Sequence, residues 1–440
     1  MDYFFNRFLK ELVFVLKVLY IISSEVLYYI IFRDYLIFID NITHRLASVN
    51  ILYVKIFQAI ASNNNLIDEK TNNKLLKFTD NAPWTYADVN LRDIINMSEK
   101  YNVNLKAGYE VPINSGMISL VFKAYDKETG KPLIIKLKRN NIDTKLNDSI
   151  KNLQTFMYLL SFIPIINKYH LTEVVNKNID IIQHQTNFLE EVDNMIRIKE
   201  NCKNLKYVKI PSVNKDVTID YPNIILMEYI EGIKINQIKE EDYEGFAKSV
   251  MKFGFVTTIV HGVTHGDLHG GNILFIKNEK EEKYKYKIGV IDFGIIYELE
   301  SGYKGLLFEV FTQMFNTAPR DSAIKILNSG IIDPPGIIEK IPKQHYENIL
   351  QFTSEIIGET VNSYKKANQI QIYKFLYKFK QYLTKTEISN MGIRPSDNLV
   401  KTQLVLAMSH GVTLTLCKDD FMTLADKVIN ELFHTNMILE

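Results

Sequence analysis

Two separated segments of the chain carry side chains that suit metal-assisted phosphoryl transfer. Residues 263–275 read VTHGDLHGGNILF, and residues 289–294 read GVIDFG. Such a reaction uses one Asp to accept or orient the proton of the attacking hydroxyl, while an Asn and a second Asp hold Mg²⁺ against a triphosphate. At this spacing Asp267 is the predicted catalytic base, and Asn272 and Asp292 are the predicted metal ligands.

The alternative interpretation is an ordinary Asx turn beside a buried strand. We favour phosphoryl transfer because the match extends over both segments and keeps the spacing found in kinases. Two histidines also lie in the first segment. His265 stands where a kinase braces its catalytic loop, so a structural role is expected. His269 stands where protein kinases place a phosphate-binding Lys, and a neutral imidazole would stabilise transferred charge less well.

A site of this kind also needs a Lys on a strand to hold the α- and β-phosphates, and a helical Glu to orient that Lys. Lys136 ends the apolar run 133–136, where such a Lys is expected. Glu191 is the predicted orienting acid because the apolar positions of its helix place it nearer the buried face. Glu190 is the competitor, and a surface carboxylate is the alternative interpretation of Glu191.

The adenine of a nucleotide would bind at residues 225–232, which read ILMEYIEG. An apolar strand that ends in a polar turn and a glycine is typical of the hinge between the lobes of a kinase. The backbone groups of Glu228, Tyr229 and Ile230 are the predicted partners of the adenine.

The glycine-rich phosphate loop of ordinary kinases is missing. Residues 112–119 read PINSGMIS, with a single glycine before the first long strand. Fewer backbone N–H groups can then approach a phosphate closely, which argues against an ordinary protein kinase. The residues predicted to bind nucleotide in this part of the chain are Ile113, Asn114, Ser115, Gly116 and Val121.

The elements that must position these residues follow from hydrophobic periodicity. Helical spacing occurs at 9–61, 74–97 and 147–202, and strand alternation or short apolar runs occur at 118–125, 132–137, 207–210 and 224–229. We predict a helical N-terminal extension over 1–105, a sheet-bearing small lobe over 106–232 and a mainly helical large lobe over 233–440. The predicted fold class is α+β, a bilobal protein-kinase-like fold with an N-terminal extension.

Composition bounds the partners and the compartment. The 52 basic and 51 acidic residues leave a formal net charge of +1, so no global field attracts nucleic acid, and we expect no nucleic-acid partner. The chain of 440 residues has only two cysteines, Cys202 and Cys417, which fits an intracellular reducing compartment better than a disulfide framework. No zinc-type spacing of Cys and His is present.

The N-terminal residues 4–38 are strongly apolar but are interrupted by charges. No uncharged run approaches the roughly 20 residues that span a bilayer, and neither a secretory signal nor a transit peptide is indicated. Two amphipathic helices are expected, and they either pack on the domain or lie on a membrane surface. A peripheral membrane association therefore stays open.

With these residues in place, the chain resembles the ABC1/ADCK/UbiB family of atypical kinases. Residues 112–124 follow the family pattern P-I-A-A-A-S-I-x-Q-V-x-x-A, and Lys55-Ile56-Phe57-Gln58 stands for the K-x-G-Q motif of its N-terminal extension. The resemblance implies ATP or ADP with Mg²⁺, and an extension that covers the protein-substrate region while Lys55 and Gln58 reach toward the nucleotide. It also implies ATPase activity in ubiquinone or other isoprenoid-lipid metabolism, with a lipid or membrane surface and quinone-biosynthesis proteins as partners.

The chain departs from the family pattern at several positions. Phe57 replaces a glycine, and the E-x-D before the helical Glu reads Gln185-Thr186-Asn187. With Gln185 and Asn187 neutral, an ion pair to Lys55 becomes a weaker hydrogen bond. In the loop, we expect Gly116 to loosen the backbone and change nucleotide preference.

Other functions compete with an ABC1-type kinase or ATPase. A genuine protein kinase would transfer phosphate to peptides, and a small-molecule kinase of the aminoglycoside-phosphotransferase kind would share the H-G-D-x-x-x-x-N loop. That second class lacks the motif at residues 55–58. A nucleotide-binding scaffold without turnover would not need a base and both metal ligands.

Overall fold

In the computed structural model the protein divides into two units. The first comprises Met1–Asn194 with Ser212–Tyr229, and the second comprises Met195–Pro211 with Ile230–Glu440. The structure describes residues 2–50, 52–53, 82, 84–104, 111–160, 179, 185–305, 317–328, 330–367, 378–379, 381–383, 385–417, 424, 427–428 and 431–432.

An antiparallel sheet forms the centre of the first unit. Its strands are β1 (Val103–Asn104), β2 (Asn114–Ser115), β3 (Ser119–Asp126), β4 (Pro132–Lys138), β6 (Val213–Asn214) and β7 (Ile224–Glu228). They are ordered β1-β3-β4-β7-β6, and β2 pairs with the start of β3. Along β3, Leu120, Phe122 and Ala124 are buried while the residues between them are less so, as period-two alternation requires.

Helices cover this sheet and bury its apolar side chains. The first unit contains α1 (Asp2–Phe32), α2 (Tyr35–Val49), α3 (Leu91–Lys100), α4 (Ile142–Leu160), the start of α5 (Phe188–Asn201) and α6 (Lys215–Asp220). One core cluster joins α3, through Ile94 and Met97, to the buried face of β3. Another joins α1, α2, α4 and α5.

Helix α1 is apolar on more than one face. Phe14, Val15, Val18 and Ile21 recur at helical spacing and lie in the second cluster. Other large apolar side chains on the helix are exposed, among them Leu12, Leu16, Leu19, Leu27 and Ile31. By length and composition the 24 residues Leu9–Phe32 could cross a membrane, although the charges within them argued otherwise in the sequence.

The second unit is mainly helical. Its helices are the end of α5, α7 (Tyr243–Phe255), α8 (Pro319–Leu327), α9 (Ile337–Lys340), α10 (Lys343–Ala367), α11 (Thr386–Ser389) and α12 (Asp397–Leu416). A turn of π-helix, Val256–His261, extends α7 and ends at Gly262, whose φ is +69°. Its strands are β5 (Val208–Lys209), β8 (Val263–His265), β9 (Ile273–Lys277), β10 (Tyr286–Val290), β11 (Ile296–Glu298), β12 (Ile332–Asp333) and β13 (Arg394–Pro395).

The strands of this unit frame the segment 263–294. Strand β10 lies between β9, antiparallel to it, and β5, parallel to it. Strand β8 pairs with β11, and β12 pairs with β13, both antiparallel. The residues between β9 and β10 form the connection of a hairpin.

The predicted α+β fold class is confirmed, with a sheet-bearing unit and a mainly helical unit. The strands predicted at 118–125 and 132–137 match β3 and β4. The pattern predicted helical structure over 74–97. Helix α3 begins at Leu91, where Asn90 caps it, and residues 84–90 are not α-helical, while 74–81 and 83 lie outside the described residues. The division into three domains stays a prediction.

Candidate active site

Lys136 and Glu191 form a buried ion pair in the first unit. The Lys136 Nζ lies 2.6 Å from Glu191 Oε1, and the two side chains are 8% and 1% exposed. Lys136 lies opposite Val121 on β3 and Ile225 on β7, so sheet pairing on both sides fixes its position. The structure therefore brings together the two residues that the sequence paired. The Glu191 carboxylate compensates the buried ammonium of Lys136.

The competitor, Glu190, has a different environment. Its backbone N–H donates to Asn187 Oδ1 at 3.3 Å, and its carboxylate accepts from Asn187 Nδ2 at 3.4 Å. Asn187 thus caps the start of α5, a position that favours a short polar side chain. The neutral residue in place of the family's carboxylate has a local structural role.

The predicted gating contacts are only partly covered. Lys55 and Gln58 lie outside the described residues, so their expected approach to Gln185 and Asn187 stays a prediction. Gln185 is half-buried, and within the described part of the chain its Oε1 has no hydrogen-bond partner.

The segment in place of the glycine-rich loop is a tight hairpin between β2 and β3. The N–H of Gly116 donates to the carbonyl of Ser119 at 2.9 Å, and that of Ile113 donates to the carbonyl of Val121 at 2.7 Å. Asn114 lies opposite Val121, and Ser115 opposite Leu120. The residues predicted to bind nucleotide here therefore share one antiparallel pair and its turn.

The tip of this hairpin is buried. Met117 and Ile118 are 5% and 9% exposed, and both belong to the core cluster that includes α1 and α4. At Gly116 an added Cβ would lie 3.5 Å from the Ser119 carbonyl, an ordinary contact, so a methyl group fits. The expected influence of Gly116 on nucleotide preference stays a prediction, and Gly116→Ala is a sterically mild test of it.

Sequence reasoning missed Arg139 and Asp88. Arg139 is 7% exposed and pairs with Asp88 at 3.1 Å, next to the hairpin. The sequence offered one signal for this pair: Arg139 directly follows an apolar strand, so its side chain can fold back against the edge of the sheet. Its partner lies far away in sequence, so no local pattern identified it.

The predicted hinge uses its first backbone donors within the sheet. The N–H of Glu228 donates to the Ser212 carbonyl at 2.8 Å, and that of Tyr229 donates to the Pro132 carbonyl at 3.3 Å. The Glu228 carboxylate in turn accepts from the N–H of Ser212 at 3.2 Å. Of the predicted group, Ile230 follows the strand and is the candidate donor to an adenine.

Residues 263–294 of the second unit carry the predicted base and metal ligands. Hydrogen bonds join the segment around Asp267 to the segment around Asp292. The Asn272 side-chain amide donates to the Asp267 carbonyl at 2.9 Å, and the N–H of Ile291 donates to the Asn272 carbonyl at 3.0 Å. Because Ile273 pairs with Val290, the backbones on either side of this register place Asn272 and Asp292 at the same end of the hairpin.

His265 braces this segment. Its Nδ1 accepts from the N–H of Asp267 at 3.0 Å, and its Nε2 lies 3.4 Å from the Ile291 carbonyl, which makes Nε2 the protonated nitrogen. Burial lowers the pKa of His265, although the charges of Asp267 and Asp292 oppose that shift. The ring is therefore neutral, and its contacts match the structural role expected from the sequence.

A histidine lies near the Asp267 carboxylate, and the backbone of Asp292 has an uncommon conformation. Nδ1 of His269 accepts from the N–H of Gly271 at 3.1 Å, which leaves its Nε2 3.9 Å from Asp267 Oδ2. Asp292 has a φ of +66°, an uncommon conformation for a residue other than glycine. Gly266 donates to the Ile295 carbonyl at 2.8 Å, and a Cβ there would lie only 2.5 Å from the Ile295 side chain.

The donor set fits Mg²⁺ held jointly with a nucleotide. The described residues contain no group of three or more His, Cys, Asp or Glu that could bind a metal by themselves. Asn272 donates through its amide nitrogen, so its oxygen is the atom that could face a cation beside Asp292. Mg²⁺ prefers oxygen ligands and commonly combines one or two protein groups with phosphates.

Comparison with known proteins places these features in a family. Residues 92–323 match the model described as the ABC1 atypical kinase-like domain. A protein of Shewanella sp. (strain ANA-3), named probable protein kinase UbiB, is 27% identical over 312 residues, which cover 69% of this chain and 55% of that protein. The protein of the same name from Shewanella baltica (strain OS155) is 24% identical with the same coverage. The chain thus spans about half the length of these relatives.

Solved structures were also compared. The Mycobacterium tuberculosis protein Rv3197, in complex with erythromycin, is 15% identical, with a TM-score of 0.45 and coverage of 77% of this chain and 83% of that chain. The Rio2 kinase of Chaetomium thermophilum, as a complex with ADP, Mg²⁺ and phosphoaspartate, is 12% identical, with a TM-score of 0.28 and coverage of 76% and 95%.

Proposed function

This chain belongs to the ABC1 atypical kinase-like domain family, and on that premise we propose that it is a Mg²⁺-nucleotide-dependent phosphotransferase or ATPase. The observation that supports it best is the frame around Asp267. The backbone carbonyl of Asp267 accepts from the side-chain amide of Asn272, and the backbone N–H of Asp267 donates to Nδ1 of His265. Rigid support of this kind suits a group that must hold a reacting hydroxyl or water in place.

Each predicted site residue has a separate role in the proposed reaction. Lys136, oriented by Glu191, contacts the α- and β-phosphates. Asn272 and Asp292 hold Mg²⁺, which when bound neutralises charge on the phosphate oxygens. Asp267 accepts or orients the proton of the attacking hydroxyl, and His265 keeps the backbone of Asp267 in place.

ATP hydrolysis or transfer to a small acceptor is favoured over phosphorylation of proteins. The hairpin in place of the glycine-rich loop has its tip, Met117 and Ile118, in the core. A loop anchored in this way adapts less to varied substrates than an open glycine-rich loop would. A role in ubiquinone or isoprenoid-lipid metabolism accords with family membership.

The test is Mg²⁺-dependent phosphate release from ATP by the purified chain, with and without liposomes. Asp292→Asn should lower the rate by at least about 100-fold, because a lost metal ligand removes several kcal/mol of transition-state stabilisation. Asp321→Asn, the same chemical change at an exposed position of the second unit, should match the unaltered protein.

Two results would contradict this function. One is absence of nucleotide binding by the unaltered protein, and the other is an Asp292→Asn variant as active as Asp321→Asn. Transfer to peptides at ordinary kinase rates would instead identify a true protein kinase. Nucleotide binding without any turnover would identify a scaffold.

A further inference from the structure

Arg139 connects the 115–118 hairpin, which is predicted to bind nucleotide, to residues that precede the sheet. Its Nε donates to the Gly116 carbonyl at 3.0 Å, and one terminal nitrogen donates to Ser115 Oγ at 2.7 Å and to the Ala82 carbonyl at 3.3 Å. The other terminal nitrogen donates to Asp88 Oδ2 at 3.1 Å. The guanidinium therefore uses its whole fork, which no Lys could reproduce.

Asp88 is held as firmly as Arg139. Its side chain is 8% exposed, and its other oxygen lies 3.1 Å from Lys145 Nζ. Burial by itself would raise the pKa of Asp88, but hydrogen bonds from Thr85 and Lys145 and the charge of Arg139 lower it overall. The carboxylate is thus ionised at neutral pH, and it accepts from the terminal nitrogen of Arg139 that does not donate to the hairpin.

A second connection runs parallel to this one. The N–H of Ala82 donates to the Ser115 carbonyl at 2.8 Å, and Ser115 Oγ donates to the Ala82 carbonyl at 2.6 Å. Ser115 is 5% exposed. The start of the hairpin is therefore tied to the chain before the sheet by backbone and side chain together.

These contacts determine the direction of a loop N–H group. Arg139 holds the Gly116 carbonyl, and its own N–H donates to the Ile118 carbonyl at 2.9 Å. In a planar trans peptide the next N–H points opposite to the carbonyl, so the N–H of Met117 points away from Arg139. An N–H fixed in advance binds a phosphate without the loss of entropy that a mobile loop would incur.

We infer that the Arg139–Asp88 pair is a positioning element that sets nucleotide affinity by orienting the 115–118 hairpin, an inference that rests on the proposed nucleotide binding. An ordinary kinase gains rigidity when its glycine-rich loop closes on phosphates. In this protein the side-chain contacts of the Arg139–Asp88 pair supply that rigidity instead. Its effect falls on binding, because Lys136 and Asp267, which are assigned to chemistry, have their own supports.

The experiment compares Arg139→Lys, Asp88→Asn and Ser115→Ala with a matched control, Asp143→Asn. Asp143 forms an ion pair at 2.7 Å with Lys138, the neighbour of Arg139, but its side chain is 56% exposed. Steady-state KM and kcat for ATP, and the Kd of ATP from calorimetry, are measured on proteins shown to be folded by circular dichroism.

Arg139→Lys and Asp88→Asn should raise both KM and Kd by about tenfold while kcat stays within about twofold. Ser115→Ala, which removes only a neutral hydrogen bond, should raise them by about threefold. Asp143→Asn should leave every value unchanged. A variant that melts at a lower temperature but keeps the original Kd would reveal a purely structural role and overturn the inference.

The failures can be told apart. An unaltered protein that binds no nucleotide overturns the proposed function and this inference together. Normal binding by the unaltered protein and by folded Arg139→Lys and Asp88→Asn overturns the inference alone. Should Arg139→Lys not fold, unchanged Kd values in Asp88→Asn and Ser115→Ala overturn it equally.

Discussion

At the scale of single residues, the Lys136–Glu191 pair should be sensitive to substitution because it is buried. Both charges lie almost entirely out of solvent, at 8% and 1% exposure. A buried ion pair adds little stability relative to apolar side chains, but removal of one partner leaves the other charge uncompensated. The two neighbouring glutamates, Glu190 and Glu191, therefore differ greatly in what they contribute.

We expect Glu191→Gln to lower the free energy of unfolding by about 3 to 5 kcal/mol and to abolish nucleotide turnover. Glu190→Gln, which alters only the capped start of the same helix, should cost less than about 1 kcal/mol. Urea unfolding followed by circular dichroism provides both values. Equal losses for the two variants would mean that the buried pair has no special role.

Residues that act through a local pattern could be predicted from the sequence. Lys136 ends the apolar run 133–136, and Glu191 lies near the apolar face of its helix. Their local patterns and the need of a phosphate site for a Lys and a Glu together selected them. Arg139 and Asp88 could not be found in this way, because phosphoryl-transfer chemistry does not call for such a pair, whereas it does call for Lys136 and Glu191. Such a pair depends on how the sheet and the preceding turn pack, which no local periodicity encodes.

At the scale of elements, the π-helical turn before residues 263–294 contains a histidine whose protonation affects the stability of the protein. His261 ends this turn, and in the described structure its Nδ1 is buried without a hydrogen-bond partner. Burial, and to a lesser extent the charge of Lys304, lowers the pKa of His261 to about 4. Turns of π-helix are rare and frequently lie at functional sites.

The sign of the pH effect follows from the lowered pKa. An unfolded His titrates near pH 6.5, so below that pH the unfolded chain binds a proton that the folded chain refuses until about pH 4. The stability that His261 contributes is present above about pH 6.5 and is lost as the pH falls. We expect the urea midpoint of His261→Gln to fall less between about pH 7 and pH 5 than that of the unaltered protein.

The matched control for this experiment is His345→Gln, at an exposed position of the second unit. Its midpoint should follow that of the unaltered protein through the same range, since other titrating groups are common to all three proteins. Parallel curves for His261→Gln and the unaltered protein would show that His261 is not the group responsible.

Long elements were easier to predict than short ones. Strand β3 alternates over enough residues to show its period, and strand β4 contains an apolar run. Both were predicted within one or two residues. Strand β6 and helix α6 were not predicted, since two residues carry no period and a single helical turn or two carries little. Residues 263–294 were singled out by their chemistry rather than by periodicity, and their catalytic role stays a prediction.

At the scale of the whole molecule, helix α1 presents an apolar surface in addition to its buried stripe. Leu16 and Leu27 are 56% and 58% exposed, while Val18 is fully buried in the core of the first unit. Crossing a bilayer would withdraw that stripe from the core. We therefore propose that the exposed face lies on a membrane surface instead.

A Leu16→Glu, Leu27→Glu double variant should lower co-sedimentation with vesicles of phosphatidylcholine and phosphatidylglycerol by at least about tenfold, because two apolar contacts with the lipid are replaced by charges. The control is Val111→Glu with Ile219→Glu, at residues of the first unit that are 60% and 56% exposed. Equal sedimentation of the two double variants would remove α1 as the site of membrane contact.

The buried tip of the 115–118 hairpin also has a consequence for time scales. Exposed loops move in nanoseconds to microseconds, whereas a segment whose side chains lie in the core moves only when that core opens locally. A nucleotide that binds at this hairpin therefore meets a lining that rearranges rarely. Because the hairpin already has its binding conformation, we expect stopped-flow measurements of ATP association to show a single phase, with no slow rearrangement of the loop.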